Sequence, residues 1–263
     1  MLPTDLRDRV LERLGFSEAP LVTVDGLNPL VRAWGRTVPF DNLQKRIVLA
    51  TDPSAPLPCA TPAEFFARYL AHGTGATCWP TSTALHALLG ACGFDPIRLA
   101  GTMQPSGVHH GSVLVRMNRD EYLVDLWADE IALPLARTGT TAGVAAFALR
   151  AEPHGPLWRV WYRHPVREDD CYFEVKERDV DLPAVLAGYE GSRVNSRFNT
   201  RIFARKNIPG GVVSVTRGAR HVRTAAGLTH RDLTPEEQAK VLIEEFRYSP
   251  EIVARLPPDE PDP

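Results

Sequence analysis

The spacing of apolar residues changes at Gly93, from helical intervals of three and four before it to strict alternation after it. Helices therefore come first and strands second, the order of an α+β protein. Residues 4–14 carry Leu6, Val10, Leu11 and Leu14 on one face and stop at Gly15, and Leu27, Leu30, Val31 and Trp34 repeat the pattern. Thr61-Pro62-Ala63-Glu64 reads as a capping box with proline at the first helical position, opening a helix that buries Phe65, Phe66, Tyr69 and Leu70. A further helix is predicted over 80–92, with Ala84, Leu85, Leu88 and Leu89 inward and Gly93 as its stop.

After Gly93, residues 97–103, 111–117 and 122–127 alternate as strands, the last two joined as a hairpin through Asn118-Arg119-Asp120. Residues 157–162 and 171–175 continue the pattern, so the middle third is an antiparallel sheet or barrel. Further on, 212–216 and 221–224 flank Arg217-Gly218-Ala219, and Thr234-Pro235-Glu236-Glu237 is a second capping box opening a helix to Phe246. The expected units are a helical bundle over 1–93, a β-barrel over 94–190 and an α/β lid over 191–256. Residues 257–263, proline and acid with little to bury, are expected to be disordered.

A formal net charge of −2 gives no field to attract nucleic acid or an anionic membrane, so neither is an expected partner. The N-terminus lacks the basic start and apolar core of a signal peptide, and no run reaches the length of a membrane span, which points to the cytoplasm. There Cys59, Cys78, Cys92 and Cys171 are expected as reduced thiols, too sparse for a disulfide scaffold. No zinc-ligand spacing, phosphate loop or dinucleotide fingerprint occurs, so no metal or cofactor is expected.

Cys78 stands in Gly73-Thr74-Gly75-Ala76-Thr77-Cys78-Trp79-Pro80, a glycine-containing loop running into a helix. Unsatisfied N–H groups and the helix dipole at such a place favour a thiolate and can hold an oxyanion. Cys92 lies on an apolar helix face, and Cys59 and Cys171 have no such setting. His110 opens a strand, and alternation turns it and His109 to opposite faces. Asp125 lies across the hairpin in Tyr122-Leu123-Val124-Asp125, where an acid among apolar residues needs a partner that an imidazole supplies. Nucleophile, base and orienting carboxylate make a covalent-catalysis set.

These residues resemble the arylamine N-acetyltransferase family over nearly the whole chain. Val38-Pro39-Phe40-Asp41-Asn42-Leu43 is similar to its I-P-F-E-N-L segment, Cys78, His110 and Asp125 fall where its Cys, His and Asp lie, and Asn195-Ser196-Arg197-Phe198 is similar to a segment of its lid. The resemblance implies the bundle, barrel and lid arrangement, with a cysteine-protease-like core. It also implies ping-pong transfer of an acyl group from an acyl-CoA or carrier-protein thioester, as substrate, to a small-molecule amine. Phe40, Trp79, His109 and Trp127 are the substrate-binding residues it implies. Around the cysteine the family writes R-G-G-x-C-x-E-x-N, where this chain has Thr74, Ala76, Pro80 and Ser82, and Leu126-Trp127-Ala128-Asp129 replaces its V-G-F-G. A changed donor or acceptor follows from those exchanges. The same triad with water as acceptor gives a thioesterase or amidase, and the missing arginine and glutamate suit a binding protein without turnover. Arg201, Arg205, Lys206, Arg217 and Arg220 are candidates for meeting the phosphates of CoA.

Overall fold

The helices and strands divide where the spacing changes. A computed structural model describes residues 2–125, 131–136, 139–142, 149–194 and 196–260. Ahead of Gly93 lie α1 (Thr4–Leu14), α2 (Val24–Thr37), a short strand β1 (Phe40–Asp41), α3 (Leu43–Thr51), α4 (Pro62–His72) and α5 (Cys78–Ala91). Gly15 (φ 93°) and Gly73 (φ 71°) end α1 and α4 in the left-handed region that glycine tolerates. The first capping box closes on one side only: the Thr61 hydroxyl accepts from the Glu64 N–H at 3.2 Å, but the Glu64 carboxylate turns to Arg68 at 3.0 Å. The second, Thr234 with Glu237, closes on both sides.

The barrel strands are β2 (Asp95–Gln104), β3 (Val108–Met117), β4 (Asp120–Val124), β5 (Leu133–Pro134), β6 (Thr140–Ala142), β7 (Leu149–His154), β8 (Leu157–Arg163) and β9 (Asp170–Arg178). They run in the order β5-β4-β3-β2-β9-β8-β7-β6, and the two ends, β5 and β6, come together so that the sheet nearly closes. After α6 (Leu182–Gly191) come the lid strands β10 (Phe203–Ile208), β11 (Gly211–Thr216), β12 (Ala219–Thr224) and β13 (Gly227–Asp232), then α7 (Pro235–Glu244) and α8 (Pro250–Ala254).

Burial divides the chain differently from sequence order. Bundle and barrel share one continuous apolar core, in which Trp34, Phe65, Leu88, Val113 and Phe173 are all buried. A second core joins Leu43 and Ile47 of α3 to Val213, Val215, Leu242 and Ile252 of the lid. β1 completes the lid sheet by pairing with β10, Phe40 opposite Arg205 and Asp41 opposite Ala204. Leu43 and Ile47 thus pack with the lid, while Phe40 and Leu49 stay with the first core.

Asp41 makes that exchange possible. Its buried carboxylate accepts from the Gly75 N–H at 2.7 Å, the Leu43 N–H at 3.1 Å and the Tyr248 hydroxyl at 3.0 Å. Burial raises its pKa to about 6 against the lowering effect of those donors. Gly75 can approach because it has no side chain, since a Cβ there would lie 1.7 Å from the Pro39 carbonyl oxygen.

Residues 257–260 are ordered, where the composition of 257–263 predicts disorder. The buried Arg46 guanidinium donates to the Pro257 and Pro258 carbonyls at 3.2 and 2.8 Å and pairs with Asp259 at 2.8 Å. The Ile202 N–H donates to Asp259 at 2.8 Å, and the Glu260 N–H to the Thr200 carbonyl at 3.1 Å. A buried cation needs acceptors, and residues 257–260 supply them. Among the described residues no helix is long and apolar enough to cross a membrane.

Replacing Asp41 with alanine strips one acceptor from three donors. Urea unfolding should show a loss of at least about 2 kcal/mol, with Asp41→Asn losing less because its amide oxygen still accepts from Gly75.

Candidate active site

α5 begins at Cys78 itself, two residues before the start expected from Pro80, which instead occupies the third helical position. Thr77 precedes it in an extended conformation without a side-chain cap, and the Thr81 hydroxyl turns back to the Ala76 carbonyl at 2.9 Å. The first turn is thus left open to an anion, as helix N-termini are when no side chain claims them. Trp79 fixes how this turn sits on the barrel. A Cβ at Gly111 of β3 would come 2.7 Å from its ring, and one at Gly188 of α6 would come 2.8 Å from it. The indole is held between two residues that lack side chains.

β3 starts at Val108, so His110 lies inside the strand rather than opening it. It is buried, edge-on to Phe173 at 4.8 Å, while His109 is exposed, as alternation requires. Asp125 falls one residue beyond the end of β4 at Val124, a correction to its expected place within the strand. His110 Nε2 and Asp125 Oδ2 are 3.1 Å apart, and the Tyr162 hydroxyl donates to the same carboxylate oxygen at 3.2 Å. With Nε2 engaged by Asp125, Nδ1 is the nitrogen left to act on the Cys78 thiol, and each group shifts the other's pKa. Cys78 Sγ lies 4.0 Å from the His109 carbonyl oxygen.

The electrostatics follow from this packing. Burial pushes the Cys78 thiol up, but the hydrogen bond and charge of His110, helped by the Gly111 N–H, bring it below an ordinary thiol. Burial lowers His110, and the neighbouring Asp125 carboxylate outweighs that and raises it to about 10. Both shifts favour a thiolate–imidazolium pair. Cys92 and Cys171 move the other way, pushed by burial to about 11, and burial drives Cys59 higher still.

Cys78 opens on a cleft of about 650 Å³, within the range of small-molecule sites. Phe40, Trp79 and His109 all line it; Phe40 packs edge-on to Phe198 at 5.2 Å and Phe203 at 5.7 Å. Trp127 lies outside the described residues, as does Asn195. None of the five cations named for the phosphates of CoA lines this cleft. Arg201 donates to the Glu260 carbonyl, Arg205 is buried against Asn207, Lys206 donates to the Glu245 carbonyl, and Arg220 pairs with the Glu245 carboxylate. Arg217 lines a separate lid cavity of about 480 Å³. The cation that does line the cleft is Arg197, whose guanidinium covers the Phe198 ring. Sequence reasoning also missed Tyr162, Ser192 and Glu177; no local signal marks any of them.

No family model and no curated protein matches the chain in sequence. Solved structures do match in shape. The arylamine N-acetyltransferase of Mycobacterium marinum superposes with a TM-score of 0.80 at 18% identity, over 95% of this chain and 97% of that one. The same enzyme in complex with CoA gives 0.78 at 18% identity, over 94% and 96%. An arylamine N-acetyltransferase from Bacillus cereus, described as having a Cys-His-Glu catalytic triad, gives 0.75 at 18% identity, over 94% and 100%. The chain has the arylamine N-acetyltransferase fold.

Iodoacetamide at pH 6.5 should label Cys78 at least about a hundred-fold faster than the other three cysteines, because only the thiolate reacts. The Cys78 rate should then rise less between pH 7 and 9 than that of an ordinary thiol of pKa about 8.5, because its pKa is lowered. Peptide mapping after timed quenching measures both.

Proposed function

We propose that this chain is an acyltransferase that moves an acyl group from a thioester to an amine through an acyl-Cys78 intermediate. The observation that carries the reading is the buried His110–Asp125 hydrogen bond beside Cys78, which opens on the cleft and whose thiol His110 holds below its ordinary pKa. The CoA complex of one protein of this fold and the catalytic triad described for another support it.

The Cys78 thiolate attacks the thioester carbonyl, the bond to the donor sulfur breaks, and His110 gives that sulfur its proton. A neutral amine then attacks the acyl-Cys78 carbonyl. Its N–H proton passes to His110 as the C–N bond forms, and the C–S bond breaks to return the thiolate. The open first turn of α5 is placed to receive the oxyanion in both halves. Asp125 stays ionised throughout and holds the imidazole by Nε2. CoA or a carrier protein enters as the carrier of a substrate thioester, so no resident cofactor is needed. The acceptor is a small-molecule amine, and a reducing cytoplasm keeps the nucleophile free.

Intact-mass analysis after exposure to acyl-CoA and acyl-carrier-protein thioesters should show one acyl adduct, absent from Cys78→Ala. Added amines should discharge it far faster than buffer alone, and discharge at the same rate without amine would make water the acceptor. His110→Gln should slow adduct formation by about 10²–10⁴-fold.

A further inference from the structure

The lining of the cleft includes a carboxylate that the steps above do not use. Glu177 lines the cleft, is exposed to it, and forms no ion pair among the described residues. The neighbouring cations are occupied: Lys176 pairs with Glu174 at 2.7 Å and Arg178 with Glu121 at 2.6 Å. Regular alternation from the buried Phe173 and Val175 would turn residue 177 inward as well. It does not, because the register of β2 and β9 slips between Ala100 and Gly101. Gly101 faces Val175 and Ala100 faces Glu177, leaving Lys176 as the extra residue of a bulge. A bulge re-aims a side chain, and here it brings Glu177 onto the face shared by Ala100 and Trp79.

The same row relates Glu177 to the strand beside the nucleophile. Glu177 pairs with Ala100, and Ala100 with Gly111, which packs against the ring of Trp79 beside Cys78. Two strand spacings of ~4.8 Å place Glu177 about 10 Å across the sheet from Gly111. That is the order of separation that the two ends of a short aliphatic chain can bridge.

Resting on the acyl-transfer reading, we propose that the acceptor is an aliphatic diamine, with one neutral amine attacking acyl-Cys78 and a distal ammonium held by Glu177. The attacking nitrogen loses its proton to His110 as the amide forms, and the distal nitrogen keeps its charge. A flat, neutral arylamine makes no use of that carboxylate.

The test compares pentane-1,5-diamine with pentylamine, by calorimetric binding to the free protein and by discharge of the acyl adduct. The diamine should win in both by at least about ten-fold, the scale of a charged hydrogen bond. Glu177→Gln should erase the preference while leaving adduct formation and pentylamine discharge unchanged. Glu177→Asp, with a shorter reach, should move the best diamine to a longer chain, which a merely structural carboxylate would not do. Equal binding of the two amines, or a preference that survives in Glu177→Gln, would overturn the proposal while the acyl adduct still stands. Absence of any adduct would instead overturn the acyl-transfer reading, and the acceptor role with it.

Discussion

One carboxylate holds three parts of the chain in register. Asp41 receives an N–H from the loop that leads to Cys78, an N–H from the start of α3 and a hydroxyl from Tyr248, which follows α7. Remove it and each donor is left in a region without water, where an unmade hydrogen bond costs more than a made one gains. The lid sheet depends on the same point, since β1 pairs with β10 on one side while the Asp41 N–H reaches the Ala76 carbonyl on the other. The nucleophile is therefore positioned by the lid as well as by its own helix.

The second dependence is electrostatic. A cysteine buried in a protein interior is ordinarily a poor nucleophile, as Cys59, Cys92 and Cys171 illustrate. Cys78 differs because an imidazole whose charge is sustained by Asp125 lies against it, and low surrounding polarity strengthens each of those attractions. Tyr162 completes the set. Burial and the Asp125 charge push its hydroxyl well above the usual tyrosine value, so it remains a donor to the carboxylate. The barrel supplies all three partners from its interior, which keeps water from competing for them.

Much of this was legible in residue order. Cys78, His110 and Asp125 could be read because each breaks a local rule: a thiol after a glycine loop, a histidine at a strand mouth, an acid among apolar neighbours. Tyr162 breaks none, being one aromatic in a strand with Trp158 and Trp161. Glu177 reads as an ordinary surface acid, because its direction depends on a register slip set by the neighbouring strand. α3 was missed for a related reason. Gln44, Lys45 and Arg46 look like a solvated face, yet all three are buried, satisfied by Thr74, Ser192 and the chain end. α6 opens at Asp181, whose side chain caps the Ala184 N–H, but its apolar residues show no strong periodicity. Contacts distant in sequence decided what local pattern could not.

The seat of Trp79 has a consequence for how such a chain can vary. Its indole touches backbone on both sides, at Gly111 in the barrel and at Gly188 in the helix that walls the cleft. Volume is therefore conserved across three positions that are far apart in sequence. A methyl group gained at 188 or 111 must be matched by a smaller ring at 79, or α6 must move outward and widen the cleft beside Cys78. Drift in the size of that one side chain is thus a route by which the fold can change the width of molecule it admits without altering any residue of the reacting row.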